Sequence, residues 1–132
     1  FDNSIIGLRI KGRQLRQALE HGLTGYPQPW GGFPQVSGLR LIFDPEAPPG
    51  SRLREVFVGD KPLDDEREYK LATNDFLATG GDGYTMLTGL PIYFGSLRDG
   101  AIINQVVAEY LLEVDNVAPR VEGRIRPVTS AE

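Results

Sequence analysis

The sequence of 132 residues contains no cysteine and a single histidine, His21. The lack of cysteine excludes disulfide bonds, thiolate metal sites and cysteine nucleophiles. One histidine cannot supply a histidine-rich metal cage, and it makes a histidine-centred catalytic triad an unconvincing interpretation. We therefore expect that this chain does not carry out hydrolytic chemistry alone.

Long apolar runs and an excess of positive charge are also missing. No apolar segment approaches the ~20 residues that cross a bilayer. The sequence has 14 Lys and Arg against 18 Asp and Glu, which gives a net charge of −4. Proteins that bind the phosphate backbone of nucleic acids usually carry a basic face. We therefore expect neither a membrane span nor a nucleic-acid polymer as partner.

What the sequence does contain is the composition of a folded domain, with 40% hydrophobic and 24% charged residues. Alternating apolar and polar residues predict strands, and helical spacing predicts two main helices, the second with Asp99 as its N-cap. This mixture predicts an α+β fold with a mixed sheet of about five or six strands. The predicted strands cover residues 4–11, 37–44, 52–58, 69–74 and about 121–125, and the predicted helices cover 13–23 and 99–114.

Several polar and aromatic groups have a plain structural interpretation. The Pro/Gly-rich residues 26–34 predict a surface loop, whose aromatic side chains line a groove or cover the edge of the core. We expect His21 to be an exposed or capping residue and Tyr84 to be a packing residue. The remaining charged groups are expected to be solvated: Arg9, Arg13, Arg16, Asp64, Asp65 and Glu66.

The glycine-rich residues 79–83, TGGDG, are the most informative stretch for function. Glycines around Asp82 let the backbone turn tightly and approach a ligand closely. The Asp82 carboxylate can accept two hydrogen bonds from a vicinal diol, and Phe76 can present a flat apolar face to an aromatic base. The same residues also fit an ordinary turn with Phe76 in the core, and chemistry alone favours that second interpretation.

A family resemblance favours the ligand-binding interpretation of this loop over the ordinary turn. Residues 74–84, NDFLATGGDGY, resemble the NxFLxxGGDG(F/Y) segment of the C-terminal domain of the 5′-nucleotidase family. Residues 1–5, FDNSI, resemble its PFxNx segment, and residues 33–39, FPQVSGL, resemble its F-(L/P)-Q-V-(S/G)-G segment. Residues 8–20, 69–73 and 121–125 fit as well, so the resemblance spans nearly the whole sequence.

The resemblance implies a nucleoside-binding site. Two phenylalanines sandwich the nucleobase in this family, and the matching positions are Phe1 and Phe76. Stacking on both faces suits a purine. The aspartate that takes the ribose hydroxyls matches Asp82.

Three further positions belong to this implied site. Gly80 and Gly81 let the backbone approach the substrate. Asn3 matches a position that hydrogen-bonds the base edge in some members. Asp2 stands before Asn3 where the family usually has glycine, so this position departs from the family's pattern.

The family's catalytic domain is N-terminal and holds two divalent metal ions with Asp, His and Asn ligands. None of those motifs occurs in this sequence, and the NGGxR segment that opens the C-terminal domain is missing too. We therefore expect residues 1–132 to be an N-terminally incomplete substrate-specificity domain that binds no metal itself. Its partners would be its own N-terminal catalytic domain and the nucleotide substrate.

By resemblance, the full-length protein is expected to be a phosphoric monoester hydrolase, periplasmic or extracellular, that converts nucleoside 5′-monophosphates to nucleoside and phosphate. The fragment alone is not expected to be active. UDP-sugar hydrolase and 2′,3′-cyclic nucleotide phosphodiesterase activities use the same base pocket and stay open as alternatives. A different alternative is a non-enzymatic nucleoside-binding or surface module.

Overall fold

The computed structural model describes residues 2–98, 100–114 and 116–129. These residues form two compact units: the first comprises residues 2–10 and 68–120, and the second comprises residues 11–67 and 121–129. The elements in chain order are β1 (Ile5–Lys11), α1 (Gly12–Gly22), β2 (Leu39–Phe43), β3 (Leu53–Val58), β4 (Lys61–Pro62), β5 (Glu68–Asn74), α2 (Asp75–Ala78), two 3₁₀ turns (Gly81–Gly83 and Thr85–Leu87), β6 (Ile92–Phe94), α3 (Ile103–Glu113) and β7 (Ile125–Pro127).

The first unit is built on a three-stranded sheet in the order β5-β1-β6. The central strand β1 alternates as its sequence predicts, because Ile6, Leu8 and Ile10 are each at most 2% exposed. Burying one such side chain contributes about 1.5–3 kcal/mol. Strand β1 therefore provides the apolar centre of this unit, together with the buried residues Ala78, Tyr84 and Leu87.

Strand β6 and the start of helix α3 in the first unit differ from the sequence-based expectation. Strand β6 was not predicted, because three residues are too short for a period of two to be recognised. It pairs antiparallel with β1, with a register shift at Gly7/Leu8. Helix α3 begins at Ile103, and Asp99, its predicted cap, lies outside the described residues. None of the residues of α3 is buried.

The second unit is built on a four-stranded mixed sheet in the order β4-β3-β2-β7. Strand β2 pairs antiparallel with β3 and parallel with β7. Its inward residues Leu41 and Phe43 are each 1% exposed, and Leu15 and Leu19 of α1 are also buried. The α+β class is confirmed, with the strands divided between two sheets. The predicted closing strand overlaps the observed β7 only at Ile125.

A buried arginine at the start of β3 forms hydrogen bonds to three neighbouring segments of the second unit. Arg52 is 8% exposed, and its guanidinium donates hydrogen bonds to the carbonyl oxygens of Leu23, Tyr26 and Ala47. The Glu20 carboxylate accepts hydrogen bonds from the backbone N–H groups of Arg52 and Leu53, at 3.0 and 2.7 Å. The end of α1 is thereby joined to β3 by charge-assisted hydrogen bonds.

The Pro/Gly-rich loop covers apolar surface of the second unit. The Tyr26 ring meets the ring of the buried Phe43 edge-on, with their centroids 4.9 Å apart. Trp30 lies against Gly25 and Gly32, where a β-carbon would collide with the indole. The His21 ring contacts Trp30 edge-on at 5.6 Å. These contacts give the loop aromatics and His21 a packing role.

Candidate functional site

The glycine-rich loop follows a short helix, α2, that is capped at both ends by side chains. Asn74 is the N-cap, and its Oδ1 accepts a hydrogen bond from the backbone N–H of Leu77 at 2.8 Å. The Thr79 hydroxyl donates to the carbonyl oxygens of Asp75 and Phe76, at 2.9 and 3.1 Å. A helix of four residues has little stability of its own, so these caps fix the single turn that carries Phe76.

Phe76 extends from this turn and lies against the backbone of Gly81. A β-carbon added to Gly81 would stand 2.5 Å from Cε2 and Cζ of the Phe76 ring, which is too close for any side chain. Phe76 nevertheless remains 46% exposed. Gly81 therefore gives the ring a firm support while much of the aromatic surface stays accessible.

The backbone of the loop is left-handed at three positions, Gly80, Asp82 and Gly83. Gly80 has φ +92°, a conformation that glycine adopts without a steric penalty. Asp82 has φ 53° and ψ 24°, and it is the one non-glycine residue of the described ranges with positive φ. Such a conformation costs of order 1 kcal/mol for a residue with a β-carbon, and backbone strain of this kind clusters at functional sites.

Asp82 is exposed, and its charge acts on a buried neighbour. Tyr84 is 6% exposed. Burial, and secondarily the negative charge of Asp82, raises the pKa of the Tyr84 hydroxyl to about 12. The Tyr84 side chain therefore stays protonated over the physiological range, and its burial agrees with the packing role that the sequence predicts.

Asn3 lies next to Ser4, whose backbone is hydrogen-bonded to the first residue of α2. The backbone N–H and carbonyl oxygen of Ser4 are hydrogen-bonded to Oδ1 and the N–H of Asp75, at 3.1 and 3.0 Å. The carbonyl oxygen of Asn3 accepts a hydrogen bond from Ile103 at 2.9 Å. The start of β1 and the start of α2 therefore lie side by side.

The structure thus brings together most of the predicted site residues. Gly80, Gly81 and Asp82 form one loop, and the Phe76 ring packs against Gly81. Asn3 precedes Ser4, whose backbone is hydrogen-bonded to Asp75, the residue before Phe76. Phe1 lies outside the described residues. Sequence reasoning did not single out Asp75, since its partner Ser4 is 71 residues away in the chain. The one local signal was the position of Asp75 between a helix cap and an aromatic residue.

The arginines that were expected to be solvated lie on the surface in ion pairs. Arg9 pairs with Glu68 at 3.3 Å, and Arg13 pairs with Glu66 at 2.7 Å. Arg16 pairs with Asp65 at 3.0 Å, so the acidic cluster 64–66 supplies partners to α1. Exposed pairs of this kind contribute about 0–1 kcal/mol each to the stability of the fold. Each of these arginines has a carboxylate partner on the surface, and we assign none of them to a ligand.

The described ranges hold neither a cluster of metal-ligating side chains nor a membrane-spanning helix. No group of three or more His, Cys, Asp or Glu side chains in these ranges could hold a metal ion. No helix there is both long enough and apolar enough to span a membrane.

The chain was compared with known proteins. It is 38% identical to a 5′-nucleotidase from Diplobatis ommata, over 95% of this chain and 22% of that protein. It is also 38% identical to a snake venom 5′-nucleotidase from Macrovipera lebetinus, over 89% of this chain and 30% of that protein. The chain therefore spans less than a third of the length of these relatives.

The fold has a counterpart among solved structures. The crystal structure of a 5′-nucleotidase precursor from Thermus thermophilus superimposes with a TM-score of 0.87 and 35% sequence identity, covering 98% of this chain and 26% of that one. Residues 1–89 match the family described as 5′-nucleotidase, C-terminal domain. This match covers both segments that build the glycine-rich loop and its support, and the chain belongs to the family of 5′-nucleotidase C-terminal domains.

Proposed function

We propose that this chain is the nucleoside-recognising domain of an enzyme that hydrolyses nucleoside 5′-monophosphates to nucleoside and phosphate. One observation supports this proposal above the others: the half-exposed Phe76 ring rests on Gly81, directly before the strained Asp82. An aromatic residue that only filled the core would bury its ring. An exposed ring on a rigid support provides a surface on which a base can stack.

In this proposal the base stacks on Phe76, and Phe1 supplies the second aromatic surface. Stacking contributes ~1–3 kcal/mol per base and suits a purine, which has the larger ring system. Gly80 and Gly81 allow the backbone to approach the substrate, and the Asn3 side chain recognises the base edge.

Asp82 is the proposed ribose ligand. An ionised carboxylate accepts hydrogen bonds at two oxygens and can therefore bind both hydroxyls of a vicinal diol. The left-handed backbone at Asp82 is consistent with a carboxylate whose direction is selected for binding rather than for stability. Tyr84 is a buried, neutral phenol.

The hydrolytic step itself is assigned to another part of the longer protein. By the family resemblance, we place two divalent metal ions in an N-terminal catalytic domain, which is also the proposed partner of this chain. Two such ions orient the phosphate and lower the pKa of the attacking water. A periplasmic or extracellular location is part of the proposal, supported by the venom origin of one relative.

The experiment is steady-state kinetics of the full-length protein with AMP. Phe76→Ala and Asp82→Ala should each raise KM about 10-fold, which corresponds to the loss of one stacked base or one charged ligand. Matched controls are Phe94→Ala, which removes a ring of similar exposure, and Asp60→Ala, which removes an exposed aspartate from a turn. Unchanged kinetics in both site variants would contradict the assignment of the pocket.

The same site can serve UDP-sugar or 2′,3′-cyclic nucleotide hydrolysis, because a base that can stack on Phe76 is common to all three substrates. The free ribose diol that Asp82 would bind is present in AMP and UDP-glucose but not in 2′,3′-cyclic AMP, whose 2′ and 3′ oxygens are esterified. Comparing kcat/KM for AMP, UDP-glucose and 2′,3′-cyclic AMP in one preparation distinguishes these activities. Nucleoside binding without turnover of any of the three would support the non-enzymatic module instead.

A further inference from the structure

Asp75 joins two segments of the first unit that are far apart in the sequence. Its Oδ1 accepts hydrogen bonds from the backbone N–H groups of Ser4, at 3.1 Å, and of Phe76, at 3.0 Å. Its own N–H donates to the carbonyl oxygen of Ser4 at 3.0 Å. A single short side chain thus bonds both to the start of β1 and to the residue that carries the exposed ring.

The Ser4 end of this connection is fixed by further contacts. Ser4 is 6% exposed and forms an antiparallel bridge with Ile102. The carbonyl oxygen of Asn3 accepts a hydrogen bond from Ile103 at 2.9 Å, and the N–H of Ile5 donates to Ala101 at 2.9 Å. The backbone of residues 3–5 is held in this way. The hydrogen bonds between Ser4 and Asp75 therefore fix the position of α2 relative to these residues.

We infer that Asp75 is a positioning residue: it holds the Phe76 ring at a fixed place relative to Asn3. This inference rests on the proposed function, since it assumes that a base stacks on Phe76. Both hydrogen bonds to the side chain use one oxygen, so an acceptor at the end of a single methylene is required. Asparagine retains that acceptor. Glutamate moves it outward by one methylene and alanine removes it.

The role of Asp75 predicts a defect that depends on the base. A displaced Phe76 ring weakens stacking but leaves the ribose and phosphate contacts in place. The KM for a nucleotide should therefore rise, whereas the KM for ribose 5-phosphate, which has no base, should not. A merely structural role would affect both substrates alike, because a loosened unit would present every contact poorly.

The test measures kcat and KM of the full-length protein with AMP and with ribose 5-phosphate. Asp75→Ala and Asp75→Glu are expected to raise the KM for AMP about 5- to 10-fold, by the loss of most of one stacking contact, with kcat unchanged. The KM for ribose 5-phosphate should stay within about 2-fold in both variants. Asp75→Asn should restore most of the AMP affinity, and Asp60→Ala serves as the exposed-aspartate control.

The outcomes separate this inference from the proposed function. If Phe76→Ala raises the KM for AMP and neither Asp75→Ala nor Asp75→Glu does, the positioning role is overturned and the proposed function remains. If neither Phe76→Ala nor Asp82→Ala has an effect, the proposed function fails with it. An equal rise for AMP and ribose 5-phosphate, or no recovery in Asp75→Asn, also overturns the positioning role. Should Asp75→Ala fail to fold, the Glu and Asn variants decide.

Discussion

The two units of this chain differ in how many large apolar side chains they expose. Of the eleven large apolar side chains that are exposed in the described ranges, ten belong to the first unit and only Val121 belongs to the second. Four of the five ion pairs that the structure shows in those ranges belong to the second unit. The second unit thus has a closed apolar core under a charged surface, whereas the first unit presents apolar side chains on β6 and α3.

This difference suits the second unit to stability and the first unit to recognition of other molecules. A unit with a closed core obtains its free energy of unfolding from its own packing, and its loops can be ordered by buried groups such as Arg52. A unit with accessible aromatic and aliphatic side chains keeps surface available for other molecules, and Phe76 is part of that surface. The comparison predicts that core substitutions act on stability and that loop substitutions act on binding.

The largest expected effect is on stability. Phe43→Ala in β2 should lower the free energy of unfolding by about 3–5 kcal/mol, because it opens a cavity at a residue that is 1% exposed. Leu112→Ala in α3 should change it by less than about 0.5 kcal/mol, because that side chain is 86% exposed. Urea unfolding of the chain measures both. Equal losses in the two variants would remove the distinction between the units.

A smaller effect is expected at the strained residue of the glycine-rich loop. Asp82→Ala should be less stable than Asp82→Gly by about 1 kcal/mol, since alanine has a β-carbon and no side-chain hydrogen bond to offset the left-handed backbone. With Asp82 as the proposed ribose ligand, both variants should lose affinity for adenosine equally, because both lack the carboxylate. Urea unfolding and isothermal titration of the full-length protein provide the two measurements. Equal stability of the two variants would show that the backbone at this position is not strained.

The smallest effect appears only at alkaline pH. Burial raises the pKa of Tyr84 above its unfolded value of 10.0 to about 12, so the folded state holds this proton more tightly. The resulting stabilisation is fully present below pH 10 and is lost as the pH rises towards 12. Tyr84→Phe should therefore flatten the decline of the free energy of unfolding between pH 10 and 12 while preserving the packing. An unchanged slope in the variant would show that Tyr84 does not titrate differently in the folded state.

The elements with a clear period were predictable from the sequence. Strand β1 and helix α1 are found within one or two residues of their predicted bounds, because one face of each is buried and the other is solvated. Strands β6 and β7 are three residues long and have no such pattern, so one was not predicted and the other was predicted too early. The division into two sheets depends on pairing between distant strands, which no local pattern records.

The candidate site also has features that were predictable from the sequence and features that were not. The sequence identified Phe76 and the loop residues Gly80, Gly81 and Asp82 through a motif, and the structure shows the Phe76 ring against Gly81 of that loop. The contact between Phe76 and Gly81 was not predictable, because it depends on the angle at which α2 meets the loop. The role of Asp75 was missed for a related reason: its acceptor oxygen is used by an N–H group 71 residues away.

Trp30 is the only tryptophan of the sequence, and its place in the second unit makes it a spectroscopic probe. Its indole is enclosed by Gly25 and Gly32 and contacts the His21 ring edge-on. Selectively excited tryptophan emission therefore reports on the Pro/Gly-rich loop and the core beneath it. The unit that carries Phe76 contributes no tryptophan emission, so a nucleotide titration and an unfolding transition can be followed in one sample through different signals.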